Sequence, residues 1–398
     1  MGTRGRISMY PVITILAGRD KRANQGHPWL YSNELQMDMQ AKQLPPGSLV
    51  RIKKEQGGFI GVGTFNPHSL IAVRKLDSNP EALIDAAWFA TRFTAALNLR
   101  ERFFTTPHYR LIHAEGDALP GLVVDRYGDT AVVQANSAGM DLLLPVLVPA
   151  LQQATGVKNV IACRSGLAIR LEGLEDQLSV LAGDQPAELR IEENGLTYFA
   201  DPFTGQKTGW FYDQRDNRAF VAALAQGGTM LDAYCYAGGF GLLAAQKGAS
   251  AVTLIDSAEG ALALARKAAE ANGLTPRCTF IHKDVMEELP RLSGAFDVVS
   301  LDPPAFVKSK KDIMAGLKGY AKLAKLGAPL VTSGGFMAIF SCSHHAALPD
   351  FTAAVAEGLS KAGRTGRIIR TSGAGPDHPV HPQLPEGAYL KCLVLQLD

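Results

Sequence analysis

Cys342 stands in Ile339-Phe-Ser-Cys-Ser-His-His345, at the end of an apolar run, where a thiol can enter a cleft at a strand terminus. A thiolate placed there is a nucleophile for a polarised carbon. It works best with a depressed pKa, and either His344 or His345 is near enough in the chain to lower it. The plainer reading of a lone cysteine is a small buried hydrophobe, and Cys163, Cys235, Cys278 and Cys392 take that reading. Asp302 opens Asp302-Pro-Pro-Ala-Phe306 after another apolar run, and the two rigid prolines hold the chain open beside its carboxylate. Phe306 either stacks on a flipped base or fills the core.

A second group of residues suits a nucleotide cofactor. In Leu231-Asp-Ala-Tyr-Cys-Tyr-Ala-Gly-Gly-Phe-Gly241, the glycines Gly238, Gly239 and Gly241 let the backbone turn tightly and approach a ligand, with Tyr236 alongside. Gly239-x-Gly241-x-x-Ala244 also fits the dinucleotide fingerprint, so the loop alone does not separate a nicotinamide enzyme from other adenosine users. Asp256, fifteen residues beyond Gly241, can accept both ribose hydroxyls, and Asp284 can accept from an adenine amino group. Each acid alone reads as a strand-end or cap residue. Asp256, Asp284 and Asp302 at successive strand ends, together with the glycine loop, read as one cofactor edge.

The elements that must position these residues follow from periodicity. From about Asp201, strands at 229–233, 251–256, 278–282, 296–301 and 335–341 alternate with helices, most clearly over 258–272, which predicts a parallel sheet. Earlier, strand-like runs at 12–16, 49–53, 58–64 and 71–76 predict a small β-barrel. Asn79-Pro80 breaks the chain before a connecting helix over 81–104. Hairpins are expected across Tyr127-Gly128-Asp129 and Asn194-Gly195, with a helix over 140–154 and a strand over 160–163 between them. The expected domains are 1–78, 79–193 and 194–398.

Composition narrows the class. With 46% hydrophobic and 20% charged residues the chain is neither disordered nor, lacking a long apolar run, membrane-spanning. The N-terminus lacks a signal-peptide pattern, and five cysteines without a Cys-x-x-Cys pair form no disulfide or zinc framework, so a reducing cytoplasm is expected. His378 and His381 lie among prolines in a loop, without helical metal-ligand spacing, and no metal is expected. Net charge is +2, yet residues 1–76 hold eleven Lys/Arg, Lys21 and Arg22 among them, against four acids. That +7 segment suits a polyanion or is simply a solvated face. A second cationic stretch, Lys308, Lys310 and Lys311, then Lys318, Lys322 and Lys325, follows the Asp302 motif. Its first part would hold phosphates near the chemistry; the second part reads equally as a solvated helix face.

The series of glycine loop and strand-end acids, with the acid-Pro-Pro motif fourth, resembles class I methyltransferases, which implies a Rossmann-like domain and S-adenosylmethionine. A thiolate would then matter for pyrimidines. Adding at carbon six, it makes carbon five enolate-like and able to take a sulfonium methyl; loss of the carbon-five proton releases the thiolate.

Gly26-His-Pro-Trp-Leu-Tyr-Ser32, Leu119-Pro-Gly-Leu-Val-Val-Asp-Arg-Tyr127, Gly205-Gln-Lys-Thr-Gly209, Asp302-Pro-Pro-Ala-Phe306, Ser341-Cys-Ser343 and Leu384-Pro-Glu-Gly-Ala-Tyr-Leu-Lys391 carry a closer likeness. Together they resemble the large-subunit ribosomal RNA cytosine-C5 methyltransferase I family. The resemblance implies an α/β protein: a β-barrel PUA domain that binds RNA through residues such as Lys21 and Arg22, a small α+β (EEHEE) domain, and the methyltransferase. It implies Cys342 as nucleophile, Asp302 at the target base and beside the cofactor, and Asp256 and Asp284 at the adenosine. The segment holding Gln206, Lys207 and Thr208 would cover the methionine end. Homodimerisation is implied on the same ground alone. Ala305 departs from the wider group, where a second cysteine aids product release. Competing expectations are amino-group methylation of a purine, which needs no cysteine, and a non-catalytic RNA-binding assembly factor; a nicotinamide oxidoreductase fits least.

Overall fold

The computed structural model describes residues 10–164, 166–201 and 209–398. The chain divides into two units: residues up to Ala187 with the returning segment Pro376–Gly387, and the remainder from Glu188 onward.

In the first unit, alternating apolar residues build a five-stranded sheet from β1 (Val12–Ile15), β2 (Trp29–Tyr31), β3 (Ser48–Lys54), β4 (Phe59–Phe65) and β5 (Ile71–Asp77). Their order is β1-β3-β4-β5-β2, with β1 parallel to β3 and the other pairs antiparallel. Ile13, Ile15, Val50, Ile52, Phe65 and Val73 fill its core. The three-residue β2 is too short for alternation to show in sequence; its pairing with β5 defines it. The connecting helix is Ala86–Arg100, shorter at both ends than the periodicity predicts. Asp85 caps its start by accepting from Trp88 N at 2.9 Å, and the buried Arg100 ends it by forking onto Asp117.

A second five-stranded sheet follows, formed by β6 (His108–His113), β7 (Leu122–Tyr127), β8 (Thr130–Ala135), β9 (Asn159–Arg164) and β10 (Gln177–Ala182), in the order β10-β9-β8-β7-β6. The helix Leu144–Thr155 makes the crossover between parallel β8 and β9. The returning segment docks on this sheet: Arg100 Nη2 donates to the Asp377 carbonyl at 3.0 Å, and Arg110 N to Asp377 Oδ2 at 3.2 Å.

The second unit opens with the hairpin β11 (Leu189–Glu193) and β12 (Leu196–Ala200), turning over Asn194 (φ 52°) and Gly195 (φ 82°). A seven-stranded sheet follows: β13 (Thr229–Ala233), β14 (Ala251–Asp256), β15 (Cys278–His282), β16 (Phe296–Leu301), β17 (Val331–Ser341), β18 (Gly366–Ser372) and β19 (Lys391–Leu397). The order is β15-β14-β13-β16-β17-β19-β18; the first five strands are parallel, and β19 runs antiparallel between β17 and β18. Leu231, Ala233, Leu254, Ile255, Val298, Val299 and Leu301 are fully buried, as strands covered on both faces require. After β13 the chain builds outward through β14 and β15, then returns to lay β16 on the other side of β13. The strand order therefore reverses between β13 and β16, and ligands of open α/β sheets bind at the carboxyl ends beside such a reversal.

One buried ion pair ties the hairpin to this edge. Arg218, on the helix Arg215–Leu224, puts Nη1 2.6 Å from Glu193 Oε1 and donates Nη2 to the Phe211 carbonyl at 2.8 Å. Trp210 Nε1 donates to the other Glu193 oxygen at 3.0 Å, and its ring lies under the guanidinium at 4.3 Å. Removing one partner of such a pair leaves an uncompensated buried charge, at a cost of about 3 kcal/mol. Glu193→Gln is therefore expected to lower the unfolding free energy of the second unit by about that amount. Hydrogen exchange of the core amides in β13 and β16 measures it, and unchanged protection would mean that the pair is not structural.

Candidate active site at the carboxyl edge of the seven-stranded sheet

The loop after β13 is wound unusually tightly. Tyr234 (φ 62°), Tyr236 (φ 49°) and Gly238 (φ 81°) all take left-handed backbone, which L side chains adopt only when their surroundings insist. The surroundings are specific. Tyr236 N donates to Asp256 Oδ2 at 2.9 Å, Cys235 N to the Ile255 carbonyl at 3.1 Å, and Gly241 N to the buried Asp232 Oδ2 at 2.8 Å. A Cβ added at Gly239 would lie 2.5 Å from Arg218 Nε, so the bare backbone there makes room for the buried guanidinium. Burial holds the Asp232 carboxyl up at about 7.

Asp256 and Asp284 come together around this loop. Asp256 Oδ1 also accepts from Ala258 N at 2.8 Å, and the exposed Asp284 caps Val285–Glu288 by accepting from Glu287 N at 3.1 Å. The Tyr234 phenol is pushed up by burial first and then by the Asp284 and Asp256 carboxylates. A carboxylate has about four acceptor positions, so backbone bonds leave each acid capacity for more donors. Two such acids at adjacent strand ends fit the hydroxyl and amino donors of an adenosine. Gln206, Lys207 and Thr208 lie outside the described residues, as do Arg4 and Arg6 of the basic N-terminal segment.

Across the switch point, Asp302 follows β16. It keeps some contact with solvent yet lies deep among protein atoms, and the depth dominates: desolvation, then the neighbouring Asp213 carboxylate, push its carboxyl up to about 7. Gln214 Nε2 donates to Asp302 Oδ2 at 2.9 Å. Asn217 Nδ2 donates to Gln214 Oε1 at 2.8 Å, and Ser372 Oγ donates to Asn217 Oδ1 at 2.8 Å, so a relay fixes the amide that faces Asp302. Asp213 in turn accepts from the Tyr389 hydroxyl.

Cys342 follows β17, the next strand along, and is partly exposed while Ser341 and Ser343 beside it are buried. Ser343 stitches this turn to the Asp302 loop: its Oγ accepts from Val307 N at 3.1 Å and lies 2.9 Å from the Tyr320 hydroxyl, which also takes the Ser341 Oγ bond at 2.9 Å. The cysteine and the carboxyl therefore share one hydrogen-bonded frame. Burial pushes the Cys235 thiol upward, Cys278 to about 11 and Cys392 to about 12. Both His344 and His345 are exposed, and the His344 ring packs against Tyr389 at 5.2 Å.

Other sequence candidates fall into place differently. Phe306 is half-buried against the Tyr320 ring at 4.8 Å, within the main core of this unit. Lys308, Lys310 and Lys311 are exposed just beyond it, as are Lys318, Lys322 and Lys325 along the helix Ile313–Gly327. In the first unit Lys21 is exposed, whereas Arg22 leans on the Tyr31 ring at 4.7 Å and reaches Glu34 at 3.5 Å. Arg51 and Arg74 are likewise engaged by Glu81 and Glu172, so part of the basic excess is balanced internally. His378 is buried beside Asp377, and no group of side chains suited to a metal occurs among the described residues. No described helix is long and apolar enough to cross a membrane. Asp213, Gln214, Arg218, Tyr389 and Lys391 escaped sequence reasoning as site residues, although the first two follow Gly205–Gly209 closely and the last two lie in the Leu384–Lys391 motif.

The chain is similar to known proteins in sequence and in fold. Residues 13–78 match the model of a PUA-like domain, and residues 147–394 that of S-adenosylmethionine-dependent methyltransferases. A protein of Pseudoalteromonas atlantica named ribosomal RNA large subunit methyltransferase I is 36% identical over 393 residues, covering 97% of this chain and 99% of its own. A ribosomal RNA large subunit methyltransferase of Deinococcus radiodurans is 34% identical over 94% of both chains. In fold, a candidate methyltransferase from Streptococcus mutans aligns with a TM-score of 0.80 at 22% identity, covering 97% of this chain and all of its own. Another candidate methyltransferase, solved with SAH, aligns at 0.81 with the same identity and coverage. The chain is an S-adenosylmethionine-dependent methyltransferase and belongs to the ribosomal RNA large subunit methyltransferase I family.

Proposed function

We propose that this chain methylates carbon five of a cytosine in large-subunit ribosomal RNA through a covalent adduct at Cys342. The observation that carries the reading is the shared frame of Cys342 and Asp302, on neighbouring strand ends joined through Ser343 and Val307. Bound S-adenosylmethionine supplies an electrophilic methyl group to the activated carbon. Asp256 and Asp284 would hold its adenosine, with the Tyr236–Gly239 turn beside them and Gln206, Lys207 and Thr208 at its methionine end. The residues of the chain do the rest. The Cys342 thiolate adds at carbon six of the base, and Asp302, held neutral by its depth and aimed by Gln214, donates its proton to the ring nitrogen. Carbon five takes the methyl and gives up its proton to water, the electrons of that C–H bond restore the carbon five–carbon six double bond as the Cys342–carbon bond breaks, and the ring nitrogen returns its proton to Asp302. Exposed Lys308, Lys310 and Lys311 would carry the phosphates beside the base, and Phe306 would line its entry. The PUA-like domain within residues 1–78, with Lys21 and Arg22, would bind RNA.

The supporting relatives are named for large-subunit rRNA, and Cys342 is what points to carbon five within that class. The test is methyl transfer to unmodified large-subunit rRNA, with mass spectrometry of the digested nucleosides. 5-Methylcytidine is expected; a methylated purine would overturn the proposal. Cys342→Ala is expected to lower turnover at least a thousandfold while cofactor affinity, by calorimetry, stays within about twofold, since covalent catalysis is lost and the cofactor edge is untouched. An alanine variant that works like the wild type would remove the adduct from the mechanism. The pH dependence has a definite sign. A carboxyl whose folded pKa is about 7, far above an unperturbed aspartate, is a proton donor below that pH and ceases to be one above it. kcat/KM should therefore fall on the alkaline side with an apparent pKa near 7, and that limb should vanish in Asp302→Asn, whose amide offers the ring nitrogen a hydrogen bond but no proton and leaves a lower, pH-independent plateau.

A further inference from the structure

Lys391 begins β19 directly opposite Ser341, the last residue of β17, and is only 8% exposed. Its Nζ donates to the Ser343 carbonyl at 2.6 Å and to the Ala346 carbonyl at 2.8 Å, the two ends of the turn that follows Cys342. No carboxylate among the described residues lies within ion-pairing distance of it. A buried ammonium held only by neutral carbonyls keeps most of its desolvation cost, and an anion nearby would relieve it. One ionisable group acts on it: the Cys342 thiol. Burial drives the ammonium toward deprotonation, and a Cys342 thiolate opposes that drive.

We propose that Lys391 is the positioning residue of the nucleophile: it fixes the turn after Cys342 and supplies the positive charge that keeps the thiol ionised. The proposal rests on the reading of Cys342 as nucleophile and says how the thiolate is maintained. When Lys391 and Cys342 share one proton, it sits on Nζ, the sulfur carries the charge, and the ion pair offsets the desolvation of both. Addition to carbon six consumes the sulfur's negative charge, and elimination restores it. The other groups facing the thiol fit that role less well. Tyr320, from the helix Ile313–Gly327, has its hydroxyl engaged with Ser341 and Ser343 and is held neutral by burial. Asp302, on the neighbouring strand end, would repel a thiolate when ionised. His344 and His345 are exposed, and water weakens any charge they offer.

The experiment is the pH dependence of Cys342 alkylation by iodoacetamide in the full chain, read at the Cys342 peptide by mass spectrometry. The peptide readout separates Cys342 from the other thiols, of which Cys235, Cys278 and Cys392 are held toward the protonated form by burial. Lys391→Gln keeps donors for the two carbonyls and removes the charge; Lys391→Arg keeps the charge. The apparent pKa of Cys342 is expected to rise by about one unit or more in Lys391→Gln, an approximately tenfold loss of alkylation rate at neutral pH, and to stay near the wild-type value in Lys391→Arg. Cofactor affinity should be kept in both, which certifies the fold. An unmoved alkylation pKa in Lys391→Gln overturns the proposal and leaves the lysine as a clamp on the turn. The readout needs no turnover, so it fails separately from the nucleophile reading, which stands or falls on methyl transfer by Cys342→Ala.

Discussion

Arg218 is 3% exposed, and its guanidinium is held between Glu193, the Phe211 carbonyl and the ring of Trp210. A cation so far from water must be compensated by the protein, and the compensation organises the carboxyl edge of the second unit. Glu193 is its direct partner, which joins the β11–β12 hairpin to the helix Arg215–Leu224. The same charge moderates the buried Asp232 under the glycine turn and Asp302 at the next strand end. Without it, three acids gathered at one sheet edge would repel one another with little water to screen them. Gly239 is bare where the guanidinium passes. The anchorage of the hairpin and the bare glycine turn after β13 thus depend on a single buried charge, which also limits how far burial raises the pKa of Asp302.

Around that charge the edge separates into two chemistries. On the β13–β14–β15 side, carboxylates accept backbone N–H groups and keep spare lone pairs, a setting for neutral donors such as hydroxyls and amino groups. On the β16–β17 side, the acid has its pKa raised to about 7, its amide partner is fixed by Asn217 and Ser372, and a thiol stands on the adjacent turn beside a buried ammonium. One side suits holding a nucleotide; the other suits attacking a ring. The reversal of strand order between β13 and β16 is what brings the two within reach of one small molecule.

Much of this was legible in the sequence where local rules govern. The first five strands of the large sheet and the helix at Glu259–Ala271 follow from largely apolar runs and helical spacing, and the strand-end acids follow from where those runs stop. The elements that escaped reading are those whose residues carry little pattern. β6 mixes histidine and arginine into His-Tyr-Arg-Leu-Ile-His, β18 is largely exposed, and β19 is a short apolar run that periodicity cannot tell from a helix segment. The functional residues that escaped share another cause. Gln214, Asp213 and Lys391 are ordinary polar residues until the fold buries them, and burial comes from partners far away in the chain. A lysine that reads as the last letter of Leu384–Lys391 becomes notable only opposite Ser341, 50 residues earlier in sequence.

The central claim is a covalent bond between Cys342 and carbon six of a cytosine. It is tested most directly with large-subunit rRNA in which cytidine is replaced by 5-fluorocytidine, incubated with the enzyme and S-adenosylmethionine. Fluorine at carbon five cannot depart as a proton does, so the step that frees the thiolate is blocked after methyl transfer. The account predicts a denaturation-resistant protein–RNA complex whose digestion yields a methylated fluorocytidine attached to the Cys342 peptide. Turnover of the normal RNA with no such complex, or a complex through any other residue, would contradict it.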